Sequence, residues 1–185
     1  MRKTVLTFGL IAGGIMSAMM LIVIPFEEQI GYDRAEIVGY TAMVLSFLLV
    51  FFGVRSYRDN VLGGTISFGR AFAAGALIVA ISSVCYTATW ELVYFKIAPG
   101  FQAKFLARMV DDAKAKGGTP EAVEKRVAQI ERYASMYKNP LTNSAITFLE
   151  PLPVGLVIAL VTAGIVRRKR RDGEPVLAKA AAAAS

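Results

Sequence analysis

Four long stretches of this chain carry no formal charge, and that one feature limits the fold more than any other. The stretches are Val5–Ile24, Ile37–Val54, Ala71–Trp90 and Pro151–Val166, and nearly all charged residues lie between them. A helix of about 20 residues, at about 1.5 Å rise each, crosses a hydrocarbon layer about 30 Å thick. The first three runs meet that length. The fourth is short, but Leu141–Leu149 is also uncharged, so Glu150 alone interrupts a longer segment. The expected fold is an all-α membrane protein with four transmembrane helices, at about 5–24, 37–54, 71–92 and 146–166. Residues 1–171 form that unit in this reading, and 172–185 a flexible tail. Only 19% of the 185 residues are charged, below the roughly one quarter usual in soluble domains.

The net charge of +7 invites a nucleic-acid reading, which the distribution opposes. Basic residues cluster at the ends of the apolar runs rather than along one folded face. With no His and a single Cys, Cys85 inside the third run, the chain lacks a disulfide framework, a thiolate–imidazole pair and a Cys/His metal site. No cofactor and no nucleic-acid partner are expected, and no catalytic constellation can be assembled, so a non-enzymatic protein is expected. The amino terminus has the charge order of a secretory signal. Its apolar run exceeds the usual length, however, and no small-x-small site precedes Pro25-Phe26, so it is read as a retained first span.

The charges between the runs set an orientation. Pro25–Glu36 carries Glu27, Glu28, Asp33 and Glu36 against Arg34, whereas the next connector holds Arg55, Arg58 and Arg70 against Asp59. Basic loops stay in the cytoplasm. Arg2, Lys3 and Arg167–Arg171 then fall on the same side as the Arg55–Arg70 connector. Both termini are expected to be cytoplasmic, in a multi-pass protein of a bacterial inner membrane whose basic side meets anionic headgroups. A protein partner or a second copy of the chain remains open.

Several small-residue spacings suggest close helix contacts: Gly9-x-x-x-Gly13 with Ser17, Ala71 with Ala74 and Gly75, and Gly155 with Ala159 and Ala163. They are read as seams within one chain. Phe47, Phe51 and Phe52 read as a lipid- or partner-facing group, and Tyr86, Trp90 and Tyr94 as an interfacial aromatic belt or, alternatively, a ligand-stacking stripe.

Residues 98–140 are too polar to span and are expected outside the cytoplasm. Phe101, Phe105, Met109 and Asp112 suggest one amphipathic helix, broken at Gly117-Gly118. Thr119 then offers an N-cap with Pro120 behind it. Val123, Val127, Ile130, Ala134 and Tyr137 give a second apolar stripe, which ends before Asn139-Pro140. The expected arrangement is an extracytoplasmic helical hairpin between the third and fourth spans. Pro151 is expected either to start the fourth span or to kink it.

Two places offer candidate sites. Glu91 lies about 31 Å along a helix from Arg70, and Glu150 about 25 Å before Arg167, so both fall near the outer edge of the hydrocarbon. They are candidates for a cation or proton site, joined by Glu27 or Glu28. The plainer reading pairs them with interfacial water, Lys96 or Lys138. The second place is the connector, with Arg55, Tyr57, Arg58, Asp59, Gly63, Gly64 and Arg70. It reads either as a turn that anchors two helices or as a docking surface for anionic lipid or a protein, completed by Arg167–Arg171. Gly63-Gly64 permits a tight turn, and Ser67 is a plausible N-cap. Asp59 and Tyr57 have no assigned role.

The connector, Gly53-x-Arg55-x-Tyr57-Arg58-Asp59 followed by Gly63-Gly64-x-Ile66-Ser67-Phe68-Gly69, resembles a bacterial family of four-span membrane proteins classed as a domain of unknown function. Tyr86, Pro99-x-Phe101, Asn139-Pro140, Phe148-Leu149-Glu150 and Gly155 carry the same resemblance, which runs from about Thr4 to Arg168. It implies four transmembrane helices in an inner membrane and brings no activity or ligand. The function expected from residues and resemblance together is a structural or interaction element. The alternative is a small oligomeric transporter or ion-conducting protein that uses the outer-leaflet carboxylates Glu91 and Glu150.

Overall fold

The computed structural model describes residues 1–98 and 100–168, apart from the side chains of Glu28 and Tyr32. Pro99, the Lys169–Arg171 part of the basic cluster and the 172–185 tail lie outside the described residues. The chain runs through α1 (Arg2–Val23), α2 (Glu27–Ile30), α3 (Tyr32–Asn60), α4 (Phe68–Leu92), α5 (Phe101–Ala115), α6 (Pro120–Tyr137), α7 (Pro140–Leu149) and α8 (Leu152–Val166). Four segments are long and apolar enough to cross a membrane: Arg2–Phe26, Asp33–Asn60, Phe68–Ile97 and Pro140–Val166.

The spans outrun the uncharged stretches. α3 continues through Arg55, Tyr57, Arg58 and Asp59, so these residues belong to its last turns and the true connector is only 61–67. Backbone hydrogen bonding does not end where the hydrocarbon does, and Arg, Tyr and Asp all tolerate helix. The third span also continues past Leu92, through a widened π turn at Val93–Ile97. The fourth span is kinked, as Pro151 predicts. α7 and α8 meet at Glu150-Pro151, because Pro151 supplies no amide to the turn before it.

α4 is the central helix. α1 runs parallel to it through a small-residue seam. A Cβ added at Gly9 would stand 2.8 Å from Ile81, and one at Gly13 2.6 Å from Cys85. Ser17 Oγ then donates to the Cys85 carbonyl at 3.4 Å and accepts from Thr89 Oγ1 at 2.8 Å. α8 runs antiparallel on another side, where Gly75 meets Ala159 and Gly155 meets Val79 and Phe47. The sequence seams are thus used within one chain. Ala71 and Ala74 are fully buried in the same core.

Two aromatic expectations change. Phe47 is fully buried against α8 rather than lipid-facing, while Phe52 is exposed. Tyr94 is buried and Trp90 half-buried, so the aromatic stripe on α4 faces protein and not the bilayer.

α5 and α6 lie against each other between the third and fourth spans. Gln102 Nε2 donates to the Ala134 carbonyl at 2.9 Å, which places the start of α5 beside the end of α6. Gly117 and Gly118 take positive φ at the turn. Thr119 caps α6 by accepting from the Ala122 amide at 3.3 Å.

Candidate functional site

At one end of the bundle, the tips of α1, α3, α4 and α8 come together. Tyr57 is 6% exposed and belongs to the apolar core. Its carbonyl accepts from the amides of Val61 and Leu62 as α3 ends. Arg58 grips Asp59 with two hydrogen bonds, Nε to Oδ1 at 2.6 Å and Nη2 to Oδ2 at 3.0 Å. Its Nη1 crosses to the Val166 carbonyl at 3.2 Å, at the last turn of α8. Arg55 Nε stands 3.6 Å from the same Asp59 carboxylate. Asp59 therefore holds Arg58 in a planar fork, which a single ammonium could not match. The two residues without a role in the sequence have structural ones.

The turn that follows is built on backbone. Gly63 and Gly64 have φ of 67° and 90°, conformations that cost other residues about 1 kcal/mol or more. Ile66 and Arg168 exchange two main-chain hydrogen bonds, at 3.1 and 3.0 Å, tying the connector to the chain after α8. Ser67 Oγ accepts from the Arg70 amide at 3.4 Å as the cap of α4. Arg55 and Arg70 remain exposed, as do Arg2, Lys3, Arg167 and Arg168.

The opposite end is assembled around Asn143, which the sequence reading passed over. Asn143 is fully buried. Its Oδ1 accepts from Trp90 Nε1 at 2.8 Å and from Thr147 Oγ1 at 3.2 Å, and its Nδ2 donates to the Tyr137 carbonyl at 3.2 Å. One amide thus joins α4, α7 and the end of α6. Its signal was present in the sequence: a lone Asn in an apolar run must find partners, since each unmet polar group in hydrocarbon costs several kcal/mol. Trp90 also packs edge-on against Phe101, ring centroids 5.7 Å apart, and Tyr94 lies 6.5 Å from Tyr137. Outside the spans, burial and the hydrogen bond with Tyr133, with added repulsion from the Glu150 charge, raise the Tyr137 hydroxyl above the usual tyrosine range.

A second tie reaches the acidic connector. Arg108 of α5 pairs with Asp33 at 2.9 Å and with Asp112 at 3.5 Å. Glu27, half-buried nearby, has its carboxyl pushed up by burial, with Arg108 pulling the other way.

No described contact joins Glu91 to Glu150. Glu150 sits exposed at the α7–α8 break, within electrostatic reach of Tyr86, Tyr40 and Glu36. Glu91 is five residues from Tyr86, about 140° around α4 at about 100° per residue. Its Oε1 is buried and has no hydrogen-bond partner. Among the described residues, no three His, Cys, Asp or Glu gather as metal ligands.

Four apolar spans with a pair of amphipathic helices packed over one end define a multi-pass, all-α membrane protein. Residues 7–168 match the family model described as protein of unknown function (DUF4199), and the chain belongs to that family. Comparison with curated proteins and with solved structures found no match.

Proposed function

We propose that this protein is a non-enzymatic structural or interaction element of a bacterial inner membrane. Its connector end lies in the cytoplasm against anionic headgroups, and its α5–α6 pair lies on the other side. Three exposed cations carry this reading. Arg2 and Lys3 stand in the first turn of α1, and Arg70 in the first turn of α4. A helix N-terminus is the positive end of the macrodipole, and a cation there costs about 0.3–1 kcal/mol. Among the described residues no carboxylate pairs with them to offset that cost, whereas a phosphate surface does, at about 1 kcal/mol per basic residue. Arg55 extends the same surface, while Arg58 is committed to Asp59 and Val166.

On the far side, Phe105, Met109, Tyr133 and Met136 are exposed. They offer an apolar surface to a protein partner or to a second copy of the chain.

The test is lipid retention. Protein purified from membranes of mixed composition is expected to carry anionic phospholipid in excess, seen by native mass spectrometry. Replacing Arg2, Lys3, Arg55 and Arg70 with Gln should abolish the excess. Replacing Lys125, Arg126 and Arg132 of α6 should not. Equal retention of zwitterionic and anionic lipid by the parent protein would refute the proposal.

A further inference from the structure

We infer that the seam between α4 and the broken α7–α8 span binds a small monovalent cation, held at Thr87, Glu91 and Tyr94. Hydroxyls within this one bundle fall into two kinds. A serine or threonine inside a membrane helix ordinarily satisfies itself on the carbonyl four residues back. Ser46, Ser82 and Thr89 do so, at 2.7, 2.9 and 3.0 Å. Ser83 and Thr87 do not. Ser83 is fully buried and Thr87 is 9% exposed, yet neither hydroxyl has a hydrogen-bond partner. The Tyr94 hydroxyl, on a residue 8% exposed, and Glu91 Oε1 are in the same condition. These four oxygens are not scattered. Positions 83, 87, 91 and 94 follow the four-four-three spacing that places side chains on one face of a helix.

What that face meets can be fixed from contacts on either side of it. Val79, one turn before Ser83, packs on the position of Gly155. Trp90, one turn after Thr87, donates to Asn143. The antiparallel run from Asn143 to Gly155 therefore lies along the Ser83 edge of the polar stripe, and its midpoint is the break at Glu150-Pro151. Pro151 and Pro153 have no N–H, so the Thr147 and Leu149 carbonyls lose the donors that a regular helix would give them. Irregular backbone at membrane depth persists where it is enclosed by protein or lines a polar path. Oxygens freed at such breaks serve elsewhere as ligands for small cations.

The chemistry of the stripe selects the occupant. Every candidate donor is an oxygen, which suits a hard cation rather than a transition metal. The stripe itself carries one carboxylate, Glu91, enough to balance a single charge, while Glu150 stands across from it at the break, within electrostatic reach of Tyr86, Tyr40 and Glu36. Thr87, Glu91 and Tyr94 are neighbours across about one turn in each direction, with Cβ atoms about 5–6 Å apart. Ser83 is the next oxygen inward, level with the break.

The test uses the full chain in detergent or nanodiscs, melted in NaCl, KCl or LiCl against choline chloride at constant ionic strength and pH. At least one alkali cation should raise the melting temperature saturably where choline does not. Thr87→Val should raise the half-saturating concentration about tenfold, as expected for one lost oxygen ligand. Glu91→Gln should abolish the response, while Glu36→Gln leaves it unchanged. If Glu91→Gln fails to fold, thallium-201 binding to the parent protein and to Thr87→Val supplies the same comparison. Equal melting in alkali and choline salts would overturn the inference. So would a cation response that survives Glu91→Gln, or stability that follows pH alone and marks a proton as the occupant.

Discussion

Gly155→Ala adds one methyl group at the tightest point between α8 and α4, and its consequence can be worked out atom by atom. The new Cβ would stand 2.4 and 2.9 Å from the two Val79 methyls and 3.0 Å from Phe47 Cζ. Neither neighbour can withdraw easily. Valine methyls move only by leaving a strongly preferred rotamer, and Val79 and Phe47 are both fully buried. Overpacking of this kind costs about 1–3 kcal/mol. The same substitution at Gly164, nine residues further along α8, meets nothing within 4 Å. It should leave stability unchanged or raise it by about 0.5–1 kcal/mol through the removal of glycine's backbone freedom. Two chemically identical changes in one helix should therefore differ by about 1–4 kcal/mol. Reversible unfolding in mixed micelles, followed by circular dichroism, reads the difference. Adding Val79→Ala to Gly155→Ala removes the methyls in conflict and should recover part of the loss, a coupling that independent sites would not show. If Gly155→Ala proves as harmless as Gly164→Ala, α8 does not dock through this seam.

Three further outcomes follow from the described contacts. Asn143→Leu strands Trp90 Nε1 and the Thr147 hydroxyl, and should cost about 1–3 kcal/mol for each buried group left unmet. Because the chain has one tryptophan, the change should also shift its fluorescence maximum, and an unshifted spectrum would count against the hydrogen bond. For Glu27, burial outweighs Arg108 and lifts the folded carboxyl above its ordinary 4.5. Its contribution is thus fully present below about that pH and is lost as pH rises through the folded value. Glu27→Gln should then gain stability relative to the parent at pH 7 compared with pH 4, and a gain of opposite sign would show that Arg108 dominates. Arg58→Lys keeps the charge but loses the fork that joins Asp59 to Val166. Hydrogen exchange at the Ile66 and Arg168 amides should accelerate, and unchanged rates would deny Arg58 its bridging role.

The four spans were legible because the constraint that creates them is compositional: a charge-free run has few destinations other than hydrocarbon. Their ends were less legible for a related reason. Charge marks the edge of the bilayer and not the end of the helix, so α3 carries Arg55–Asn60 as additional turns. The small-residue seams, the Gly63-Gly64 turn and the Ser67 and Thr119 caps could be read in advance, since each follows from local backbone geometry. The direction of an aromatic stripe could not. Tyr86, Trp90 and Tyr94 have the same spacing whether they face lipid or α7, and Asn143 on another helix decides between them. Ser83 and Thr87 were invisible for the opposite reason. In sequence they look like any hydroxyls in a membrane helix, and only their missing back-bonds set them apart from Ser82 and Thr89.

The proposed placement in the membrane rests on the connector end and the α5–α6 end facing opposite compartments. Single-cysteine labelling in intact cells tests that directly, with Cys85→Ala removing the one native thiol. Thr65→Cys probes the connector and Lys116→Cys the turn between α5 and α6. A membrane-impermeant maleimide should label position 116 in intact cells and position 65 only after the membrane is opened. Labelling at 65 without permeabilisation would reverse the orientation, and labelling of both positions in intact cells would contradict the four-span arrangement itself.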